Sequence, residues 1–465
     1  MRTGSPRGRA PLTVAVLALL TASLLTGCGS RLTPAQRAAA LGRTGRDGAG
    51  PAAAPTGSAG ALPSASAPSA DAGDGGGGKD AAACKGRGGK SDTGVTPGEI
   101  TIANVVDRSG PVPGLFTDVQ NAVQAYAAYF NSTQTICGRK LKVLPLDART
   151  DAAGEQQATV QGCRQAFALV GGMSAYDQAG AGPAADCKIP DLRAVAVTRQ
   201  RQQSPVTYAV DAHRLGLMST AAPDLLKQKY PDAVRKAAFV YLKAESSEQT
   251  AKDWMAGYAK RGLNFVYKQA IDVDDFNYAP YVTKMKNAGV KLVFWLGSGE
   301  FAVRMQKTMR QQGFTPEVFY TDNTAYTPSY VKQGGSAVDG TVIPIASVML
   351  EESAQSAELR RYAEWLRKTA PGASPTSFGM YGWAAAKLFT ETAAKVGPNL
   401  TRTAFLDKLK QVKEYTGGGM LAPQGVGTRQ PGACERLIRL SGGTWRPLAP
   451  TGSRYRCGGL VGTGG

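Results

Sequence analysis

A single histidine, His213, serves a chain of 465 residues, and no two of its seven cysteines stand as CxxC. A zinc centre built from cysteine and histidine therefore lacks both its ligands and their usual spacing, and no metal is expected. No GxSxG turn presents a nucleophilic serine. Gly171-Gly172 and Gly417-Gly418-Gly419 lack the GxxxxGKS and GxGxxG spacings that cradle phosphates. Paired acids such as Glu351-Glu352 and Asp274-Asp275 read as solvated loop ends, and His213, between Asp211 and Arg214 in the chain order, reads as structural. Neither an enzyme nor a cofactor is expected. Also missing is any apolar run of about twenty residues, the length a membrane-spanning helix requires. The formal charge of +19 is not gathered into a dense basic run with interleaved aromatics. It is scattered, as at Lys227, Lys229, Lys284, Lys286, Lys307 and Arg310, so it reads as a solvated surface facing anionic lipid rather than a nucleic-acid site.

What the chain does have begins at its amino end. Arg2, Arg7 and Arg9 precede the short apolar run Leu12 to Leu20, and Leu24-Leu25-Thr26-Gly27-Cys28 follows. That order resembles a bacterial lipoprotein signal, with residues 1–27 removed and a diacylglycerol carried on the thiol of Cys28. The rest of the chain is then expected outside the cytoplasmic membrane, anchored to it by lipid. In that oxidising compartment the six remaining cysteines, Cys84, Cys137, Cys163, Cys187, Cys434 and Cys457, are expected to form three disulfides, for which sequence alone permits fifteen connectivities. Residues 28–94 are rich in Ala, Gly, Pro and Ser and lack aromatics. Too little apolar surface is available there to offset ordering entropy, so a tether is expected, reaching roughly 40–50 Å. Residues 1–94 hold eleven Lys and Arg against five Asp and Glu, which leaves +13 of the +19 to the remainder.

The remainder alternates strand and helix. Apolar runs at Ile100 to Val106, Leu141 to Leu146, Leu169 to Gly172 and Asp191 to Val197 predict strands, with helical spacing at Val119 to Phe130, Glu155 to Phe167 and Tyr176 to Ala185. The pattern repeats with strands at Ala237 to Leu242, Phe265 to Ala270, Val290 to Leu296 and Val318 to Tyr320 around helices at Glu248 to Lys260, Ala279 to Ala288 and Phe301 to Gln312. Such βαβ order predicts an α/β fold with parallel sheets flanked by helices, in two lobes of similar construction. Ligands of open α/β sheets settle beyond the carboxyl ends of strands, so a cleft between the lobes is the expected site.

These segments resemble the type I periplasmic binding proteins, in the leucine/isoleucine/valine-binding branch that serves ABC importers. The resemblance rests on Ile102 through Gly114, the helix ending Tyr129-Phe130-Asn131, Cys137-Gly138-Arg139-Lys140-Leu141, Asp147 to Asp151, Val170-Gly171-Gly172-Met173-Ser174 and Ile189-Pro190. It continues through Lys286-Asn287-Ala288-Gly289-Val290, Gln312-Gly313-Phe314 and Tyr381-Gly382-Trp383-Ala384-Ala385, covering about residues 95–450. It implies two Rossmann-like lobes joined by a three-segment hinge: 95–213 with 346–430, and 214–345 with 431–465. It also implies a monomer that closes on a small-molecule solute and presents the closed shape to ABC permease subunits. A surface receptor of the same fold, signalling to a membrane partner, is the alternative.

By the same resemblance, Ser109, Ser174, Ala175, Tyr176, Ala196, Val197 and Thr198 supply the first lobe's wall, with Ser174 and Thr198 donating to a ligand carboxylate. Ser298, Glu300, Asp322 and Asn323 would approach from the second lobe. Here the chain departs from the branch. Asn323 stands where relatives place an acid for the ligand's ammonium, with Asp322 one residue away. Ser298 stands where a tyrosine is frequent, and Ala244-Glu245-Ser246-Ser247-Glu248 lacks the usual aromatic. An amino acid, an amide or an organic acid is the expected solute. Cys137 and Cys163 fall at the base of the first lobe and resemble a bonded pair of the family. Cys434 and Cys457 flank an expected hairpin at Arg436 to Trp445, and Cys84 with Cys187 remains.

Overall fold

A computed structural model describes Cys84 and residues 86–464. The expected signal segment, Cys28 and the tether as far as residue 83 lie outside the described residues. The first lobe begins with β1 (Glu99–Val106), α1 (Thr117–Thr133), β2 (Lys140–Asp147), α2 (Ala152–Gln165) and β3 (Ala168–Val170). It continues through α3 (Ala181–Asp186), β4 (Asp191–Val195), α4 (Arg199–Gln203) and β5 (Thr207–Asp211). All five strands run parallel in the order β2-β1-β3-β4-β5. Strands covered on both faces read as continuous apolar runs, and β4 is buried along its whole length. α1 buries Val119, Val123, Tyr126, Ala127 and Phe130, one face at helical spacing. α2 starts where Asp151 accepts a hydrogen bond from the Gly154 N–H at 2.6 Å.

The second lobe runs through β6 (Leu217–Ser219), α5 (Ala221–Lys229), β7 (Ala237–Leu242), α6 (Glu245–Lys260), β8 (Phe265–Ile271) and α7 (Ala279–Asn287). Then come β9 (Leu292–Leu296), α8 (Gly299–Gln311), β10 (Val318–Tyr320), α9 (Pro328–Gly334) and β11 (Val342–Ile345). The chain next returns to the first lobe as α10 (Ala357–Thr369), α11 (Ser377–Val396) and α12 (Arg402–Leu409). α11 packs there through Trp383, edge-on to Tyr126 at 4.9 Å between centroids. Finally β12 (Cys434–Ser441) joins β11 antiparallel, β13 (Thr444–Ala449) completes a hairpin, β14 (Arg456–Cys457) pairs β12, and β15 (Leu460–Gly462) pairs β6. The chain thus crosses between lobes after β5, after β11 and before β12.

Two expectations need correction. The disulfides join Cys84 to Cys137 and Cys163 to Cys187, not Cys137 to Cys163; Cys434 pairs with Cys457 as expected. Cys163 near the end of α2 meets Cys187, the residue capping α3, because those helices pack on the same face of the sheet. Residues 86–94, assigned to the tether, instead lie against the first lobe. Buried Arg139 donates to the Gly89 carbonyl at 2.6 Å and to the Thr96 carbonyl at 3.1 Å. Ser91 donates to the Leu400 carbonyl, and Asp92 accepts from the Arg402 N–H. Backbone carbonyls, not apolar side chains, hold much of this segment, so its composition hid the contact.

Candidate ligand-binding cleft

A cavity of about 540 Å³ lies where the strand-end loops of the two lobes face each other. Each crossing contributes to its walls: Asp211 at the end of β5, Ala346 just past β11, and Glu435 at the start of β12. Much of the lining is apolar, including Phe116, Tyr176, Trp254, Phe276, Phe301 and Tyr381. At the end of β9, Gly297 has a φ of +149°, and a side chain there would meet Leu242 at 2.8 Å, so the backbone itself forms that wall.

On the first-lobe side, two fully buried carboxylates organise the loops. Asp107, just past β1, accepts from the Ser174 hydroxyl at 3.0 Å, the Ala175 N–H at 2.8 Å and the Thr150 N–H at 3.1 Å. Burial raises the proton affinity of Asp107, opposed by those three donors and by nearby Arg193. Asp177 accepts from the Val197 N–H at 2.7 Å, the Thr198 N–H at 3.1 Å and the Thr198 hydroxyl at 2.5 Å. Beneath them Arg201 bonds Asp191 at 2.8 Å and Glu155 at 3.3 Å, and Arg193 lies 3.5 Å from Glu155. Burial pushes the Glu155 carboxyl up to about 7 despite both arginines. The sequence reading missed Asp107 and Asp177, although both follow strand ends or begin helical turns, where a buried acid can collect free N–H groups.

The hinge and second lobe present acids of another kind. The Asp211 side chain has no hydrogen-bond partner among the described residues. Burial, with the neighbouring Glu435 carboxylate, pushes its pKa up to about 7. Glu435 accepts from the Ala222 N–H at 3.2 Å and is raised by burial as well. Asp322 caps the turn after β10, accepting from the Thr324 N–H at 2.9 Å, and burial lifts it to about 6. Asn323 lies 3.5 Å from the Tyr381 hydroxyl through its Nδ2, while its Oδ1 is buried without a partner.

Of the residues expected at the site, Ser174, Ala175, Tyr176, Val197, Ser298, Asp322 and Asn323 line the cavity. The donors of Ser174, Ala175 and Val197, however, are held by Asp107 and Asp177. Four expected contacts are absent from the lining. Thr198 is fully buried and caps α4, while Ser109 is exposed and donates to Asp147 at 2.7 Å. Ala196 borders a separate cavity beside Arg214 and Arg429, and exposed Glu300 points to a neighbouring opening that it shares with Ser298. Strand-end position was legible in each case. Which face of the loop turns to the cleft was not.

The lobes also touch directly at the start of α6. Glu245 accepts from Gln178 at 2.7 Å and from Gln200 at 3.2 Å, and Gln249 accepts from the Arg199 N–H at 2.8 Å. These bonds bridge the cleft's edge.

A family model described as a periplasmic binding protein matches residues 99–444. Solved structures share the fold at low identity. An extracellular ligand-binding receptor from Rhodopseudomonas palustris is 21% identical, with 75% of this chain and 99% of that chain covered and a TM-score of 0.63. A branched-chain amino acid transporter substrate-binding protein from Streptococcus pneumoniae, in complex with isoleucine, is 15% identical over 76% and 100% of the two chains, with a TM-score of 0.63. An ABC transporter solute-binding protein from R. palustris, in complex with benzoate, is 15% identical over 78% and 98%, also at 0.63. No curated protein shows a significant sequence match.

Proposed function

The chain belongs to the periplasmic binding protein family, and on that premise we propose that it captures a small solute between its lobes for an ABC importer. It would do so as a monomer outside the cytoplasmic membrane, tethered by lipid on Cys28. The observation carrying this reading is the cavity walled by both lobes and by all three crossing segments. A solute that touches both walls gains contacts only when the lobes are together, so binding favours the closed form by its differential affinity. The bonds from Gln178 and Gln200 to Glu245, which join the lobes at the cleft's edge, support this reading. Permease subunits would then read the closed shape, and no bond-making step is required of the protein. The relatives solved with isoleucine and benzoate support a small solute with an apolar part.

Thermal-shift screening of the purified protein against amino acids, amides, amines and organic acids tests the reading. A solute present at 100 times its Kd adds about 2.7 kcal/mol to the folded state. Stabilisation by at least one such solute is expected; none by any of them would defeat solute capture. Anchoring is separate: Cys28→Ser should abolish lipid labelling and membrane retention, and unchanged fractionation in that variant would remove the tether.

A further inference from the structure

We propose that the cleft takes an organic cation, an aromatic or branched aliphatic amine or amidine without a carboxylate, whose charged end sits against Asp211 and Glu435. This rests on the solute-binding reading above and names the class of solute. Three observations meet in it.

The first is that an entering carboxylate finds the donors of the first lobe's loops already taken. The hydroxyl and N–H groups around the first-lobe loops already serve Asp107 and Asp177, two fully buried internal acids. A ligand carboxylate would have to displace one of them, leaving a buried charge unpaired, an exchange with no net gain.

The second is charge. The chain carries 54 Lys and Arg against 35 Asp and Glu. Yet among the described residues no Lys or Arg lines the cavity, whereas Asp211, Asp274, Asp322 and Glu435 do. The arginine packed behind this wall, Arg304, lies over the rings of Phe276 and Phe301 at 4.6 and 5.0 Å and is not itself part of the lining. A basic protein has placed four acids around one cavity with no Lys or Arg, and the single base in the lining, His213, has its proton affinity lowered by burial. The floor pair is the focus, because Asp211 has no donor and Glu435 repels it. A cation between them relieves both the repulsion and the desolvation. Asn323 Oδ1, buried and without a partner, offers a further acceptor to an N–H of the same solute.

The third is the apolar wall. Tyr176, Trp254 and the phenylalanines suit an apolar body, and ring faces attract a cation held within about 6 Å. A cavity of this size encloses a solute of one ring and a short chain.

The test uses one ring with four end groups: phenethylamine, phenylacetate, phenylalanine and 2-phenylethanol, titrated calorimetrically into the full-length protein. Phenethylamine should bind at least ~10-fold more tightly than the other three. Asp211→Asn and Glu435→Gln should each weaken it by roughly ten- to a hundred-fold, with both variants still melting cooperatively. Phenylacetate or phenylalanine binding as tightly as the amine would overturn the assignment, as would wild-type amine affinity in both variants. No binding of phenethylamine would overturn it too. In each of these outcomes a hit of another class in the wider screen keeps solute capture standing, whereas no hit at all ends both readings.

Discussion

Asp107 and Asp211 stand at the ends of two strands of the same sheet, one buried behind the cleft and one lining it, and their surroundings are opposite. Asp107 is enclosed, accepts three hydrogen bonds and has Arg193 close by. Asp211 has no donor to its side chain and feels the charge of a second carboxylate that lines the same cavity, Glu435. The first is a structural acid that organises the loops and consumes their donors. The second is held in an environment that leaves it in want of a partner. Equal chemistry at two strand ends of one sheet therefore serves folding at Asp107 and, on the proposal above, recognition at Asp211.

The comparison is broken most directly at Asp107. Asp107→Ala leaves three donors unsatisfied and should cost ~3–5 kcal/mol of unfolding free energy in urea. If the donors are the reason, acetate should restore part of that loss to the variant and not to wild type. A loss too small to measure would mean that the loops hold themselves.

At Asp211 the sign reverses. A carboxyl raised to about 7 binds its proton more tightly folded than unfolded. Its contribution is fully present below the unfolded value and is lost as pH rises toward the folded one. Asp211→Asn should therefore gain on wild type between about pH 5 and 8, by ~1–3 kcal/mol at the upper end after allowance for solvent screening. The groups facing it are Glu435, also an acid, and Tyr381, with His213 two residues along; burial lowers the proton affinity of His213, which acts in the opposite direction as pH falls. Taking the difference between variant and wild type removes that contribution. A difference independent of pH would show that Asp211 is not strained by its surroundings.

The smallest effect is expected at the cleft's edge. Glu245→Ala removes two bridging bonds, from Gln178 and Gln200, without touching either floor acid. Solute affinity should fall about two- to tenfold, ~0.5–1.5 kcal/mol, and the ligand-free protein should show a larger radius of gyration by X-ray scattering. An unchanged radius and affinity would mean that the edge bonds do not favour closure.

The alternation of apolar runs and helical faces determined the α/β construction. Val318 to Tyr320 and Ala237 to Leu242 were placed to the residue, because a buried strand is a local apolar run between breakers. The repeat of that alternation implied two lobes, and strand ends such as Ser174 and Asp322 pointed to the cleft. Which side chains meet across it was settled only by tertiary structure. Cys163 reaches Cys187 because two helices share a face of the sheet, and neither spacing nor elimination contains that fact. Residues 86–94 adhere through carbonyls that Arg139 recognises, leaving no mark in hydropathy. Above all, Ser174 and Thr198 carried the right chemistry for a carboxylate, but the carboxylates they hold belong to the protein. A hydrogen-bond donor announces itself in sequence; its partner is decided by what the fold brings within 3 Å.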